Sequence, residues 1–301
     1  MKVLISGCDG QVGWELQRSM SVLGEVFAFN REQMDLSAPG KAAAVVARIA
    51  PDVVVNAAAY TAVDKAESEE ALATRINGEA VEELARAARD VNALLVHYST
   101  DYVFDGSKEG AYTELDATAP LSAYGRGKLV GERAIADVGG DWLTFRTTWV
   151  YGVRGKNFLR TMLRLAATRE ELSVVGDQYG APTSARLIAD ATSQIVAQSM
   201  RERQAGRFDS GLFNLTAADS TTWHGFAEAI IDAARSHQPS SVVTTRIKSI
   251  STSEYPTPAR RPRNSLLDNS ALVSRFGLHR PNWRVAMQYV LDDLFAATAP
   301  L

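Results

Sequence analysis

The sequence is poor in cysteine and carries almost no net charge. Cys8 is the only cysteine among 301 residues, so the chain can form no internal disulfide, which fits a reducing compartment. Lysine and arginine together number 32, aspartate and glutamate 35, and the net charge is -3. That balance gives no electrostatic reason to expect nucleic acid or an anionic membrane as a partner.

Long apolar runs are also missing. No stretch is long enough to span a bilayer, and the N-terminus enters a strand pattern at Lys2-Val3-Leu4-Ile5 without the architecture of a signal peptide. Apolar residues make up 46% of the chain and charged residues 22%, which is typical of a globular protein. We therefore predict a cytoplasmic protein with no membrane partner and no nucleic acid partner.

Short apolar runs of strand length alternate with helical patterns through the first half of the chain. Strands are predicted at 3–6, 26–29, 53–56, 94–98 and 142–146, and helices from 11 onwards and at 40–50, 70–92 and 122–137. This alternation predicts an α/β fold, a doubly wound parallel sheet (Rossmann) with right-handed crossovers.

After residue 150 the alternation loosens, which predicts a smaller C-terminal α+β substrate lobe. Helices are predicted at 157–167, from 183 to near 200 and at 221–234, a polar linker at 201–210, strands at 212–214 and 242–247, and two final helices. The length also exceeds the ~150 residues of a usual domain. We predict a dinucleotide-binding domain at 1–150, joined by part of 180–210, and a substrate lobe over most of 151–301.

Three glycines follow the first strand in the pattern GxxGxxG. Gly7, Gly10 and Gly13 surround Gln11 and Val12, where a helix begins. Glycine allows a tight turn and a close approach of the backbone to a pyrophosphate, which the helix N-terminus then binds. A flexible turn is the alternative, but the position after the first strand favours a dinucleotide site formed by these five residues.

The residues after the second and third strands indicate the kind of dinucleotide. An acidic residue after the second strand would hold the ribose 2′-hydroxyl of NAD, whereas this chain has Asn30 and Arg31. Arg31 can pair with a 2′-phosphate, so NADPH is favoured while NADH stays open; an exposed arginine without a ligand is the alternative. The small residues Ala57, Ala58 and Ala59 let a flat cofactor lie against the backbone, although close helix packing explains them nearly as well.

A hydroxyl and a phenol-ammonium pair follow the fourth strand. Thr100 stands where that strand opens into a crevice, and Tyr124 and Lys128 lie four residues apart on one face of the next helix. An ammonium lowers the pKa of a nearby phenol, which makes Tyr124 a proton donor to a carbonyl oxygen that gains charge as hydride arrives. Thr100 supplies a second hydrogen bond to that oxygen. A half-buried tyrosine with a solvated lysine is the alternative.

Proline and arginine are concentrated in one loop near the C-terminus, at residues 256–263. A solvated linker is the usual structure of such a run. If its arginines face the crevice instead, they suit a diphosphate, because the guanidinium fork matches phosphate oxygens. Arg261 is the substrate-binding candidate in this loop.

Five segments together resemble the extended short-chain dehydrogenase/reductases. They are GxxGQVG from Gly7, STDYVFDG from Ser99, YxxxK from Tyr124, RTTWVYG from Arg146 and RPxNSxLD from Arg261. The segments extend from residue 7 to residue 268, so the resemblance covers essentially the whole chain. STDYVFDG and RPxNSxLD are far more specific than the glycine pattern.

The resemblance implies NAD(P)H-dependent reduction of the 4-keto group of dTDP-4-dehydro-L-rhamnose to give dTDP-L-rhamnose. It assigns catalysis to Thr100, Tyr124 and Lys128, and contact with the dTDP-sugar substrate to Asp101 and Trp149. It also implies cofactor contacts at Gly10 to Val12, Asn30, Asp35, Leu36, Ala57 to Tyr60, Tyr98, Tyr124 and Lys128.

The resemblance further raises a homodimer, since some members of the family hold a divalent metal between subunits with glutamates. Glu15 is a candidate ligand for magnesium, with an ordinary surface glutamate as the alternative. The chain offers no recognisable set of further ligands, so no metal site is predicted. Gly125 and Gly127 lie inside the predicted catalytic helix, and each costs about 1 kcal/mol of helix stability relative to alanine. They leave open the register of this helix and hence the geometry of Tyr124 and Lys128.

Two other functions stay open. A nucleotide-sugar epimerase or dehydratase shares the fold, but the related dehydratases have a glutamate where this chain has Tyr102, and epimerases more often carry Ser-Ser where it has Ser99-Thr100. A non-catalytic cofactor-binding regulatory subunit, like the partner of methionine adenosyltransferase, is the second. It predicts damage to the catalytic group, which is complete in this chain.

Overall fold

Strands and helices alternate at the start of the computed structural model, which describes residues 1–296. The elements are β1 (Lys2–Ser6), α1 (Gln11–Met20), β2 (Glu25–Phe29), α2 (Lys41–Ile49), β3 (Val53–Asn56), α3 (Val63–Ala66), α4 (Glu70–Thr74), α5 (Ala80–Asp90) and β4 (Leu94–Thr100). The strands are short runs rich in Val, Leu and Ile, as the apolar pattern predicts. The predicted bounds of β3 and the predicted start of α1 are confirmed.

The remaining elements belong partly to the sheet and partly to a second lobe. They are α6 (Ala123–Val138), β5 (Trp142–Thr147), β6 (Val150–Tyr151), α7 (Phe158–Ala166), β7 (Glu171–Val175), β8 (Tyr179–Gly180), β9 (Thr183–Ser184), α8 (Ala185–Gln204), β10 (Gly211–Asn214), β11 (Thr221–Thr222), α9 (Trp223–His237), β12 (Arg246–Ile250), α10 (Ser270–Phe276) and α11 (Trp283–Ala296). Short 3₁₀ turns occupy Asp101–Val103, Pro239–Ser241 and Thr252–Glu254.

Two predicted bounds in this half are wrong. The linker predicted at 201–210 is helical as far as Gln204, because Glu202 pairs with Arg275 and Arg203 pairs with Asp141, which anchors the last turn of α8. The strand predicted at 242–247 lies at Arg246–Ile250, where parallel pairing with β7 fixes its register. Contacts between distant segments set both bounds, so local composition could not predict them.

Six strands form one parallel sheet in the order β10-β5-β4-β3-β1-β2. The order reverses between β1 and β3. In open α/β sheets, the carboxyl ends of the strands at such a reversal form a crevice that binds ligands. The sheet confirms the predicted doubly wound α/β fold and places a crevice at Gly7 and Ala57.

Successive residues of each strand face opposite sides of the sheet. Val3 and Ile5 pack in a core with residues of α1 and α8, whereas Leu4 packs in a second core with residues of α2, α5 and α6. The same parity holds along β3 and β4, with Val54 and Leu95 in the second core. Helices therefore cover both faces of the sheet, as a parallel sheet requires.

A third core lies in the second lobe, where α7, α9 and α11 pack together through side chains such as Leu159, Phe226 and Trp283. The chain does not stay in this lobe. Strand β10 pairs with β5 in the main sheet, and Leu272 and Phe276 of α10 pack in the core with α1 and α8. We keep the predicted division near residue 150 as a proposal, with the addition that β10 and α10 return to the main sheet.

The helix predicted at 70–92 contains a π turn at Arg75–Glu79 between α4 and α5. This turn lies against α6, where a Cβ on Gly131 would come within 2.3 Å of the Asn77 carbonyl oxygen. A Cβ on Gly125 would come within 2.2 Å of the Tyr102 carbonyl oxygen, whereas one on Gly127 would meet nothing closer than 3.4 Å. Close packing therefore explains Gly125 and Gly131 in α6 but not Gly127.

Candidate active site

The glycine-rich turn connects β1 to α1 with little space around its backbone. Gly7 has a φ of +72°, and a Cβ there would lie 2.8 Å from the backbone of Ala58. A Cβ on Gly13 would lie 2.1 Å from the Gly7 carbonyl oxygen. Gly10 precedes α1 in an extended conformation and leaves that N-terminus without a side-chain cap. The turn therefore offers backbone N–H groups to an anion, as a pyrophosphate site needs.

A cavity of about 660 Å³ opens at this turn, at the carboxyl ends of β1, β3 and β4. Fifteen of the sixteen predicted cofactor residues line it: Gly7, Gly10, Gln11, Val12, Asn30, Arg31, Asp35, Leu36, Ala57, Ala58, Ala59, Tyr60, Tyr98, Tyr124 and Lys128. Gly13 is the exception, because it packs against the turn instead of facing the cavity. The structure thus brings the predicted cofactor residues together around one space.

The prediction missed ten other residues that line the cavity: Asp9, Met34, Thr61, Ala62, Ile76, Ser99, Thr147, Val150, Gly155 and Lys156. Most are sequence neighbours of predicted residues. Gly155 and Lys156 are different, since they come from the loop after β6. Asn157 holds that loop over the glycine turn by donating from Nδ2 to Gln11 Oε1 at 2.8 Å and to the Gly152 carbonyl at 2.9 Å. No local pattern signals this contact.

Arg31 lies at the edge of the cavity with its side chain 75% exposed. Its Nε is 3.7 Å from Asp35 Oδ1. Asp35 is held by the backbone and hydroxyl of Ser37, which lower the pKa of its carboxyl. Arg31 is thus free to turn toward a phosphate at this edge, because its present ion pair is long and exposed.

Tyr124 and Lys128 both face the cavity from α6. The helix begins there because Ser122 Oγ accepts a hydrogen bond from the Gly125 N–H at 3.2 Å, an N-cap that fixes the register of the pair. Lys128 is 2% exposed and donates from Nζ to the Tyr98 carbonyl at 2.5 Å. Helix and strand together therefore hold the ammonium at the cavity wall.

The predicted effect of Lys128 on the pKa of Tyr124 is wrong. Burial and the nearby charge of Asp101 raise the pKa of the Tyr124 phenol, and only the Thr100 hydroxyl opposes them. Burial also lowers the pKa of Lys128 to about 8. The ammonium is engaged with the strand behind it, so burial determines the proton affinity of the phenol. Tyr124 stays protonated at neutral pH, as a proton donor must.

Thr100 and Asp101 lie where β4 ends, both buried. The Thr100 hydroxyl donates to Asp101 Oδ1 at 3.0 Å and accepts from the Tyr102 N–H at 3.1 Å. Burial raises the pKa of Asp101 to about 6, and the nearby hydroxyls of Ser265, Thr100 and Thr148 oppose that rise. Neither residue lines the cavity that Tyr124 and Lys128 face.

Trp149 and Arg261 also lie outside the cavity lining. Trp149 has a φ of +48°, a left-handed conformation rare for an aromatic residue, and its ring stacks on Trp223 with centroids 3.6 Å apart. The Arg261 guanidinium donates to both oxygens of Asp64, at 3.0 and 2.8 Å. Its predicted contact with a diphosphate therefore stays a prediction and requires this ion pair to open.

The residues present fit a nicotinamide dinucleotide. A Cβ at Gly7 or Gly13 would clash with neighbouring backbone, so glycine at both positions allows the compact turn that a pyrophosphate site needs. The hydroxyls of Ser99 and Thr147 are buried at the cavity wall without a hydrogen-bond partner. Buried polar groups need partners, and a polar ligand in the cavity would supply them.

Glu15, which is only a candidate for a magnesium ligand, is paired with two arginines. Glu15 is buried and lies 3.8 Å from Arg18 Nε and 3.6 Å from Arg186 Nε. Among residues 1–296, no group of three or more His, Cys, Asp or Glu side chains could hold a metal ion. None of the helices in that range has the length and apolar character needed to cross a membrane.

A doubly wound parallel sheet, a glycine turn and a tyrosine-lysine pair facing one cavity define a nucleotide-dependent oxidoreductase of the extended short-chain dehydrogenase/reductase class. The family described as RmlD substrate binding domain matches residues 1–296. The chain belongs to this family.

Named relatives agree with this assignment. The chain is 56% identical to the dTDP-4-dehydrorhamnose reductase of Burkholderia thailandensis, over 98% of this chain and 100% of the relative. It is 45% identical to the enzyme of that name from Escherichia coli, over 99% of this chain and 100% of the relative. The structure of the Bacillus anthracis dTDP-4-dehydrorhamnose reductase in complex with NADP has a TM-score of 0.89 and 31% identity, covering 97% of this chain and 99% of that one.

Proposed function

We propose that this protein reduces the 4-keto group of dTDP-4-dehydro-L-rhamnose to give dTDP-L-rhamnose, with NADPH or NADH as the reductant. The observation that carries the proposal is the meeting of Tyr124 and Lys128 at one cavity wall in a chain whose full-length relatives are reductases of this name. An epimerase or dehydratase is disfavoured, since these relatives share 45 to 56% identity with the chain.

The cofactor would lie along the cavity from the glycine turn to α6. The N-terminus of α1 at Gln11 and Val12 would receive the pyrophosphate, Arg31 a 2′-phosphate, and Lys128 the nicotinamide ribose. When bound, the reduced nicotinamide supplies hydride to C4 of the sugar. The small residues at 57–59 leave room for the planar parts of the cofactor at the carboxyl end of β3.

Tyr124 is the proton donor in this proposal. As hydride adds to C4, the electron pair of the carbonyl bond moves to the sugar oxygen, which takes the phenol proton and becomes a hydroxyl. A phenol whose pKa is raised by burial keeps its proton at neutral pH until that oxygen becomes basic. The Thr100 hydroxyl, which also contacts the phenol, orients the same oxygen.

Asp101 and Trp149 are proposed to contact the sugar, and Arg261 the diphosphate. Asp101 adjoins Thr100 through a 3.0 Å hydrogen bond, so a sugar hydroxyl beside the reacting carbonyl can reach its free Oδ2. Trp149 presents a flat apolar ring, stacked on Trp223, of the kind that packs against a sugar face. A homodimer and a cytoplasmic location stay predictions beside this function.

The test combines purified protein with dTDP-4-dehydro-L-rhamnose and each reduced cofactor, following the absorbance of the nicotinamide. We expect Tyr124→Phe to lower kcat by at least about a hundredfold with little change in binding, because it removes the general acid. Tyr151→Phe is the matched control, since its buried hydroxyl in the second lobe has no hydrogen-bond partner. Near-normal turnover in Tyr124→Phe would contradict the assigned role.

A second outcome would change the function itself. If the wild-type protein consumes neither cofactor but its melting temperature rises with NADPH, the cofactor-binding regulatory subunit becomes the better interpretation. The complete set of Thr100, Tyr124 and Lys128 argues against that outcome, because a protein that only binds the cofactor has no need of a proton donor.

A further inference from the structure

A row of polar residues crosses the interior of the sheet at one level. Ser6, Asn56 and His97 are direct register partners on the adjacent strands β1, β3 and β4. Strand parity places all three on the side of Leu4, Val54 and Leu95, which is the side that α6 covers. Polar side chains in the middle of a parallel sheet are costly unless each finds a partner.

Hydrogen bonds connect this row to Lys128. Ser6 Oγ donates to Asn56 Oδ1 at 2.6 Å, Asn56 Nδ2 lies 3.1 Å from His97 Nδ1, and His97 Nε2 lies 3.1 Å from Lys128 Nζ. Exposure is 0% for Ser6, 1% for Asn56 and His97 and 2% for Lys128. The row therefore ends at Lys128, the side chain that is proposed to bind the nicotinamide ribose of the cofactor.

A lysine ammonium has three N–H donors and no acceptor. In Lys128 one donor goes to the Tyr98 carbonyl at 2.5 Å, and His97 Nε2 is placed to accept a second. The third is then directed to the cavity that Lys128 lines. His97 suits this task as a neutral acceptor, because burial and the Lys128 charge both oppose its protonation.

The Asn56 amide supports the ring in either tautomer. The amide has an acceptor oxygen and a nitrogen with two N–H donors, and a rotation of the amide by 180° exchanges whether the oxygen or the nitrogen faces His97 Nδ1. The Ser6 hydroxyl can then accept from Asn56 Nδ2 where it now donates to Oδ1. The Ala58 N–H, which lies 3.3 Å from Asn56 Oδ1 and 3.4 Å from Ser6 Oγ, keeps the Ser6 oxygen as its acceptor. With Oδ1 turned toward His97, the ring proton sits on Nδ1 and Nε2 is free to accept from the ammonium.

We propose that His97 is a positioning residue for Lys128: its Nε2 and the Tyr98 carbonyl fix the ammonium so that one N–H points at the cofactor. This inference rests on the proposed function, in which Lys128 binds the nicotinamide ribose. His97 itself does not line the cavity, so it acts through its contact with Lys128.

The experiment compares His97→Leu, His97→Gln and Thr144→Val with the wild-type protein. Leu removes the acceptor, whereas Gln restores one at a similar reach. Thr144 is the matched control, because it is the register partner of His97 on β5 and its buried hydroxyl has no partner. The measurements are the Kd of NADPH, kcat, the KM of the sugar and the melting temperature.

We expect His97→Leu to weaken NADPH binding and lower kcat, each by about tenfold or more, as loss of a hydrogen bond to a charged group predicts. The KM of the sugar should change by less than about threefold, because His97 lies behind α6 and away from Thr100 and Asp101. His97→Gln should recover most of both losses, and Thr144→Val should behave as the wild type.

Wild-type values for kcat and NADPH affinity in His97→Leu would overturn the inference, as would a Gln variant no better than Leu when both melt like the wild type. If His97→Leu does not fold, His97→Met makes the same comparison with a flexible side chain of similar volume. The NADPH measurement needs no sugar, so it tests His97 even where the wild-type protein reduces no dTDP-sugar and the proposed function fails.

Discussion

Replacing Asp101 by Asn should make the folded protein more stable at neutral pH while impairing its proposed activity. Asp101 is 2% exposed at the end of β4, and burial raises the pKa of its carboxyl from the usual 3.8 to about 6. At neutral pH the folded protein therefore holds a buried carboxylate that is only partly compensated by neighbouring hydroxyls. Asn keeps the shape and can still accept the hydrogen bond from Thr100.

The size and sign follow from the two pKa values. Because the folded state binds the proton more tightly than the unfolded chain, ionisation of Asp101 destabilises the fold as pH rises from about 4 to about 6. The gap corresponds to roughly 3 kcal/mol above that window, at about 1.4 kcal/mol per pH unit. With an unfolding entropy of about 2 cal/mol/K per residue over 301 residues, the gain is about 5 °C in Tm.

The assay is thermal unfolding of wild type and Asp101→Asn at pH 4.5, 6 and 8. The variant should melt higher at pH 8 by about 5 °C, and the difference should shrink toward zero as the pH falls through 6 and then 4. Turnover of the keto-sugar should fall in the same variant, because Asp101 is proposed to contact the sugar. A difference in Tm that is independent of pH, or an Asn variant that is less stable at pH 8, would refute the reasoning.

Three further outcomes follow from the structure. Arg275 holds the pKa of Glu202 in the folded protein near 2. Glu202→Gln should therefore lower Tm at pH 7, and this difference in Tm should shrink as pH falls from about 4.5 toward 2. An equal difference in Tm at pH 7 and pH 3 would contradict the prediction. In α6, Gly125→Ala should lower Tm because its Cβ would clash with the Tyr102 backbone, whereas Gly127→Ala should raise Tm through a gain of up to about 1 kcal/mol in helix propensity. Equal melting curves would contradict this difference in packing. Arg31→Ala should raise the KM of NADPH by about tenfold and leave that of NADH unchanged, and an equal rise for both would exclude a 2′-phosphate contact.

The sheet and most of the cavity could be predicted because they depend on local patterns. The apolar run at 53–56 is too short for a helix, and Gly7, Gly10 and Gly13 follow a strand, so chain order alone puts them at a crevice. Parallel strands then bring the residues after β1, β3 and β4 to the same edge without further information.

What could not be predicted depends on contacts between distant segments. Asp64 and Arg261 are 197 positions apart, and no local pattern indicates that the arginine pairs with a carboxylate. The same holds for Asn157 and Gln11, which bring Lys156 to the cavity. The pKa of Tyr124 was predicted with the wrong sign because spacing places an ammonium near a phenol but does not reveal how deeply both are buried.

The return of the chain to the main sheet has a practical consequence for dissection of the protein. Residues 1–150 expressed alone would lack β10, so β5 would present an open edge, and the hydrophobic side chains that α8 and α10 cover would face water. Such a fragment should aggregate. A cut in the loop between β6 and α7 of the intact chain should leave the two pieces associated, because α8, β10 and α10 follow the cut and pack on the sheet formed mostly before it.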